Sequence, residues 1–191
     1  AGVSDREAVF TEPLAAALQV VQQVRPSPRD KAVVIGDGRL GQLIARVLQS
    51  RGLRPLVIGR DDDKLRRLER LGISCLTADE ARPRHDAHLV VEASGSVDGL
   101  TMAMEMVRPR GTIVLKSTIA AKSGINLAPI VVDEVCVLGS RCGPFSEALA
   151  ALGQRTVEIG DLVTGEFSLQ DGVRALEAAQ ARGAIKILVK P

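Results

Sequence analysis

Lys31-Ala-Val-Val-Ile-Gly36-Asp-Gly-Arg-Leu-Gly41-Gln-Leu-Ile-Ala-Arg-Val-Leu48 is the stretch that decides how this chain folds. Its first five residues form a short run rich in apolar, β-branched side chains, the composition of a strand covered on both faces. From Leu40 the pattern changes. Leu40, Leu43, Ile44, Val47 and Leu48 recur at three- and four-residue spacing, one apolar stripe of a helix that Gly52 can end. Between strand and helix stands a G-x-G-x-x-G run from Gly36 to Gly41. Alone that pattern is weak, but directly after a buried strand and opening an amphipathic helix it points to a pyrophosphate-binding turn. Gly36 permits the tight turn, Gly38 lets backbone approach a pyrophosphate, and Gly41 allows close helix–strand packing, with Arg39 and Leu40 completing the loop. The helix N-terminus adds N–H donors and partial positive charge.

The same alternation continues on either side. Pro55–Ile58, Ile73–Leu76, His88–Glu92, Gly111–Leu115 and Val135–Leu138 read as further strands, and Lys64–Leu71 and Leu100–Val107 as helices between them. The sixth strand follows a loop-rich insertion. Strand–helix repetition of this kind predicts an α/β fold: a doubly wound, Rossmann-type, six-stranded parallel sheet in the order 3-2-1-4-5-6 with helices on both faces. Pro13–Val24 reads as a leading helix, and the Pro26 and Pro28 breaker cluster ends it. Past Ser140 the rhythm loosens into a helix at Ser146–Leu152, a strand-like connection at Asp161–Phe167, a helix at Asp171–Ala181 and a final strand at Ala184–Val189. The expected organisation is a leading helix and linker over 1–29, a dinucleotide-binding domain over 30–154 and a C-terminal segment over 155–191.

Composition narrows the partner. The 191 residues are 46% hydrophobic and 25% charged, with 25 basic residues nearly balanced by 23 acidic ones, so no charge footprint favours nucleic acid or an anionic membrane. No apolar run approaches the ~18 residues of a membrane span, and no leader is visible. Cys75, Cys136 and Cys142 form an odd set without C-x-x-C spacing, which argues against a disulfide framework and a structural zinc site. A reducing, cytoplasmic setting and a small-molecule partner are expected. All three thiols are expected to be packing residues, because no base stands near Cys142 in sequence. His85 and His88 lie where the chain enters a buried strand, which argues against a metal site.

The second strand sets the choice of dinucleotide. NAD-binding units place an acid at its end, about 20 residues past the glycines, to accept the ribose hydroxyls. Here Gly59 and Arg60 stand there, a small residue followed by a guanidinium that suits a 2′-phosphate, so the reading favours NADP over NAD. Asp61, Asp62 and Asp63 keep NAD open, since a strand end two residues later would put a carboxylate on the ribose. The Asp61–Arg67 charge cluster also fits a helix start, acids first and bases further on.

Together these residues resemble the medium-chain dehydrogenase/reductase family, the zinc-dependent alcohol and polyol dehydrogenases. The resemblance is nearly chain-long. It is carried by Phe10-Thr-Glu-Pro-Leu-Ala15, Val34-Ile-Gly-Asp-Gly-Arg-Leu-Gly41, Val90-Val-Glu-Ala-Ser-Gly-Ser96, Arg110-Gly-Thr-Ile-Val-Leu115, Leu138-Gly-Ser-Arg-Cys-Gly-Pro-Phe145 and Ile185-Lys-Ile-Leu-Val189. It implies an NAD(P)-dependent oxidoreductase whose GroES-like catalytic domain, with the remaining zinc ligands, is absent from this sequence. Ala1 opens directly on helical material, in keeping with a piece of something longer. The resemblance gives Glu12 a place at or beside the catalytic zinc, as a ligand or as a holder of the metal-bound water. Glu12 reads equally as a helix-start carboxylate. It also implies that Lys64 lies near the adenosine ribose, Ser94 and Gly95 along the cofactor cleft, and Lys186 toward the pyrophosphate. Lys116, Thr118, Ser140 and Cys142 would line the nicotinamide end, and edge strands would pair into a homodimer through Leu127–Leu138. A freestanding dinucleotide-binding sensor and a zinc-independent quinone-reductase-like enzyme are the competing readings.

Overall fold

The computed structural model describes residues 2–119 and 126–191. Six parallel strands form the main sheet: β1 (Ala32–Ile35), β2 (Leu56–Gly59), β3 (Ser74–Thr77), β4 (Ala87–Glu92), β5 (Val107–Leu115) and β6 (Cys136–Gly139), ordered β3-β2-β1-β4-β5-β6. The expected strand order is the observed one. Right-handed crossovers leave this arrangement when a chain winds outward twice from a central strand.

Strand pleating distributes the apolar side chains between two cores. Val34, Val57, Leu89, Val91 and Val114 point to one, while Val33, Ile35, Ile58, Val90 and Ile113 point to the other. The first core is covered by α2 (Thr11–Val24), α3 (Arg39–Ser50), α4 (Asp62–Glu69) and α7 (Phe145–Gly153), the second by α5 (Val97–Met106). Phe10 and Leu14 are fully buried in the first, so the leading helix is part of the sheet's own packing.

Several boundaries move from those expected. A short helix α1 (Asp5–Ala8) precedes α2, and α4 starts two residues earlier than the apolar pattern indicates because Asp61 caps it, accepting from the Asp63 and Lys64 N–H groups. Similarly, Ser96 caps α5. Strand β5 begins at Val107 rather than Gly111. The loop expected before β6 lies partly outside the described residues, and its described end forms a short helix α6 (Ala128–Val132).

The C-terminal segment is more regular than its sequence indicates. The strand-like connection is β7 (Val163–Ser168), which pairs in parallel with the last strand, β8 (Lys186–Lys190), across helix α8 (Gly172–Gln180). This unit is fastened to the main body by buried polar contacts. Arg46, on α3 and only 2% exposed at its side chain, donates to Asp161 Oδ1 and Oδ2 at 2.6 and 2.9 Å, to the Glu158 carbonyl at 2.8 Å and to Gln42 Oε1 at 3.2 Å.

Candidate functional site

The glycine loop sits at the carboxyl ends of β1 and β4, where the strand order reverses and an open α/β sheet leaves a crevice. Gly36 has φ +118°, a left-handed value that disfavours any side chain, and a Cβ there would stand 2.5 Å from the Ala93 carbonyl oxygen. A Cβ on Gly41 would stand 2.0 Å from the Gly36 carbonyl oxygen, so the first turn of α3 can close on the loop only without one. Gly38 differs. Its backbone is extended, and a Cβ would meet nothing within 4 Å. The space above it, at the N-terminus of α3, is the cradle that a side chain would fill and that a pyrophosphate fits.

Around this loop the cleft is lined by Ile35, Gly36, Asp37, Ile58, Gly59, Arg60, Ser94, Ser96 and Asp98, among others. Arg60 is exposed at its rim, with a guanidinium nitrogen 3.9 Å from Asp98. Asp61 is engaged elsewhere: beyond capping α4, its Oδ2 accepts from the Gly183 N–H at 2.9 Å. Burial works to raise its pKa, but these backbone donors and the Lys64 charge outweigh it and leave the carboxyl below its usual range. Lys64, half-buried on α4, is not among the residues lining the cleft, and its carbonyl accepts from Gln42 Nε2 at 2.7 Å.

Ser94 and Gly95 follow β4 at the cleft. The Ser94 hydroxyl donates to the buried Glu92 carboxylate at 2.6 Å and accepts from the Ser96 N–H, while the Gly95 N–H donates to Ser117 Oγ. Thr118 is exposed beyond β5. Lys116 does not line the cleft through its ammonium. It is buried, and Nζ donates to the Ala16 carbonyl at 2.8 Å, the Arg141 carbonyl at 2.8 Å and Ser140 Oγ at 3.1 Å, tying α2 to the loop after β6. Burial pushes its pKa down to about 8, opposed by the Cys142 and Glu12 charges.

Glu12, at the start of α2, is exposed and close enough to both Lys116 and Lys186 to favour their charged forms. Burial lowers Lys186, and the nearby Arg39 charge lowers it further. The fold thereby brings Arg39, Lys186 and Glu12 to one neighbourhood from three distant parts of the chain. Glu12 cannot hold a metal ion by itself, and among the described residues no group of three or more His, Cys, Asp or Glu could do so. His88 is used structurally, Nδ1 accepting from the Lys31 N–H at 3.1 Å.

The cysteines correct one expectation. Cys75 packs as expected, its thiol pushed up to about 12 by burial, but Cys136 and Cys142 are exposed. Cys136 belongs to an edge strand and Cys142 to the loop beyond it, and both thiols are left exposed there. Sequence reasoning passed over Asp37, an unspecified position of the glycine pattern. Its Oδ2 accepts from the Arg60 and Asp61 N–H groups, each at 2.7 Å, and it occupies the space beside Gly59. A glycine where an acid is usual, with an acid inside the glycine loop, is the signal that could have found it. Another cavity, about 440 Å³, lies away from this cleft, between α4 and the β7–β8 unit.

Comparison with known proteins agrees with this geometry. Sorbitol dehydrogenase of Halalkalibacterium halodurans is 28% identical over all of this chain and 60% of its own length. Alcohol dehydrogenase TADH from Thermus sp. ATN1 superposes with a TM-score of 0.89 at 26% identity, over 100% of this chain and 60% of that one. A short chain alcohol dehydrogenase from E. coli CFT073, solved with NADH, shares the fold with a TM-score of 0.89 at 22% identity, over 99% of this chain and 60% of that one. The chain thus spans about 60% of the relatives it matches. The sequence pattern of the family described as Zinc-binding dehydrogenase matches residues 40–155, more than half of the chain. With the strand order, the glycine loop and the cleft in agreement, this chain belongs to the zinc-binding dehydrogenase family.

Proposed function

We propose that this chain is the NAD(P)-binding portion of a zinc-dependent alcohol or polyol dehydrogenase, which transfers hydride between a nicotinamide cofactor and an alcohol or carbonyl. The observation that carries the reading is the open space at Gly38, bounded by two glycines that the packing requires and aimed at the N-terminus of a buried helix. The cofactor supplies the hydride chemistry when bound. The chain's own residues bind and orient it: loop N–H groups and the α3 N-terminus hold the pyrophosphate, Arg39 and Lys186 add positive charge nearby, and Ser94 and Gly95 border the path toward the nicotinamide. Lys116 fixes the floor of that end, holding Ser140 and Arg141 against α2.

Glu12 is the one residue here that the family resemblance assigns to zinc, as a ligand or through a bound water, with the other ligands in a catalytic domain outside this sequence. Turnover therefore belongs to the whole protein, and no step through the metal follows from this chain. A cytoplasmic location accords with the thiols, none of which is paired among the described residues, and no described helix is long and apolar enough to cross a membrane. The exposed edge of β6 and the exposed Leu127, Val131 and Val132 beside it support pairing of two copies across that edge.

Gly38→Val tests the cofactor reading. Its side chain enters open space and its backbone suits any residue, so thermal stability should hold while calorimetric titration shows NADH and NADPH affinity reduced at least tenfold. Unchanged affinity in this variant, or no binding of either dinucleotide by the parent chain, refutes the proposal.

A further inference from the structure

We infer that Asp37, inside the glycine loop, is the residue that selects the dinucleotide, and that its carboxylate makes the cleft one for NAD(H) rather than NADP(H). The inference rests on the cofactor reading above and goes beyond it by naming which dinucleotide is taken and by what atom.

Three observations carry it. The first is the residue at the usual place: Gly59 ends β2, where an acid would otherwise accept the ribose hydroxyls. The second is what fills that space. A Cβ on Gly59 would lie 2.5 Å from Asp37 Oδ2 and 2.6 Å from Asp37 Cβ, so the two positions cannot both carry a side chain as the loop stands. The carboxylate has changed strands of origin while keeping its place. The third is how it is held. Oδ2 accepts from the Arg60 and Asp61 N–H groups at 2.7 Å each, and these are the main-chain donors that face an anion at the end of β2. Oδ1 has no hydrogen-bond donor among the described residues and belongs to a residue lining the cleft, which leaves it to accept from ribose hydroxyls.

A 2′-phosphate meets the reverse situation. Its natural donors are already taken by a carboxylate, and that carboxylate repels it. Arg60 offers one compensating guanidinium, but it is exposed at the rim and shares its position with a second carboxylate, Asp98, at 3.9 Å. Two acids thus oppose one base around the site. Arg60 and Asp37 make opposite predictions about the cofactor, and the engaged, half-buried group outweighs the solvated one because water screens the latter.

The test is calorimetric titration of the chain with NADH and with NADPH, in the parent and three variants. The parent should bind NADH at least tenfold more tightly. Asp37→Asn, which keeps the side-chain shape, should narrow that ratio at least tenfold, chiefly by tightening NADPH. Gly59→Asp should lower the thermal midpoint, because its Cβ collides with Asp37. The double variant Asp37→Gly/Gly59→Asp, which removes the colliding Cβ at 37 and returns the carboxylate to β2, should recover both the midpoint and the preference for NADH. Tighter NADPH binding by the parent, or a ratio that stays the same in Asp37→Asn, overturns the inference while leaving the cofactor reading intact. Absence of binding by either dinucleotide overturns both.

Discussion

Arg46→Met is the perturbation whose consequence follows most directly from the structure. Methionine keeps the length of the buried stem and removes the guanidinium, and with it three hydrogen bonds that join α3 to Asp161 and Glu158 and a fourth, within the helix, to Gln42. Removing one partner of a buried ion pair costs about 3–5 kcal/mol, since the other charge is left without compensation. Asp161 is 35% exposed at its side chain and can recruit water, so screening reduces the expected loss to about 2–3 kcal/mol. For a domain of this size that is a fall of roughly 4–12 °C in Tm. Burial tends to raise the Asp161 pKa, but the hydrogen bonds and charge of Arg46, with Arg67 behind it, hold the carboxyl below its usual range. The pair's contribution is therefore fully present above the unfolded carboxyl's pKa and is lost as pH falls through the lower, folded value. The gap between parent and variant should be widest near neutrality and close in acid. Urea denaturation followed by circular dichroism is the assay, because the chain has no Trp or Tyr to report by fluorescence. A loss under about 1 kcal/mol at neutral pH, or a gap that does not shrink in acid, refutes the reasoning, since a surface pair contributes no more than that.

Lys116→Met should change how stability responds to alkali. Both states hold the proton below about pH 8, but between there and the ordinary lysine value of 10.5 the unfolded chain holds more, so the stability owed to residue 116 rises with pH. Denaturation midpoints of parent and variant, compared near pH ~7.5 and ~9.5, should show the parent gaining on the variant; parallel responses would count against the buried ammonium. Val131→Asp places a charge on a residue 77% exposed beside the β6 edge. Sedimentation should show a parent dimer converted to monomer, and a parent that is monomeric at micromolar concentration would end the edge-pairing proposal.

How far the sequence could be read depended on how far apart the interacting residues lie. The run from Lys31 to Leu48 was decisive because strand, turn and helix are consecutive, each declared by its own periodicity or glycine. Strand order was legible too, since handed crossovers leave few ways to connect alternating strands and helices. Element ends were less so: α4 and α5 begin at caps, Asp61 and Ser96, that precede the apolar pattern. Arg46 reads as the polar face of an amphipathic helix, yet it is buried because a segment 115 residues later folds over it. Lys116 reads as cofactor lining, yet its ammonium reaches a helix carbonyl 100 residues earlier. Cys142 reads as a packing residue, yet its side chain is exposed even though the neighbouring Arg141 and Gly143 backbone lies against α2.

The sequence by itself determined the sheet, its strand order and the turn built for a pyrophosphate, because those rest on local backbone preference and on alternation of apolar side chains. Only the tertiary structure decided which polar groups face the crevice and which are consumed in holding it. Asp37 and the N–H groups of Arg60 and Asp61 are 23 and 24 residues apart, and they meet only when β1 and β2 lie side by side. A hydrogen bond between such groups depends on tenths of an ångström between neighbouring strands, and no periodicity in the sequence encodes that distance.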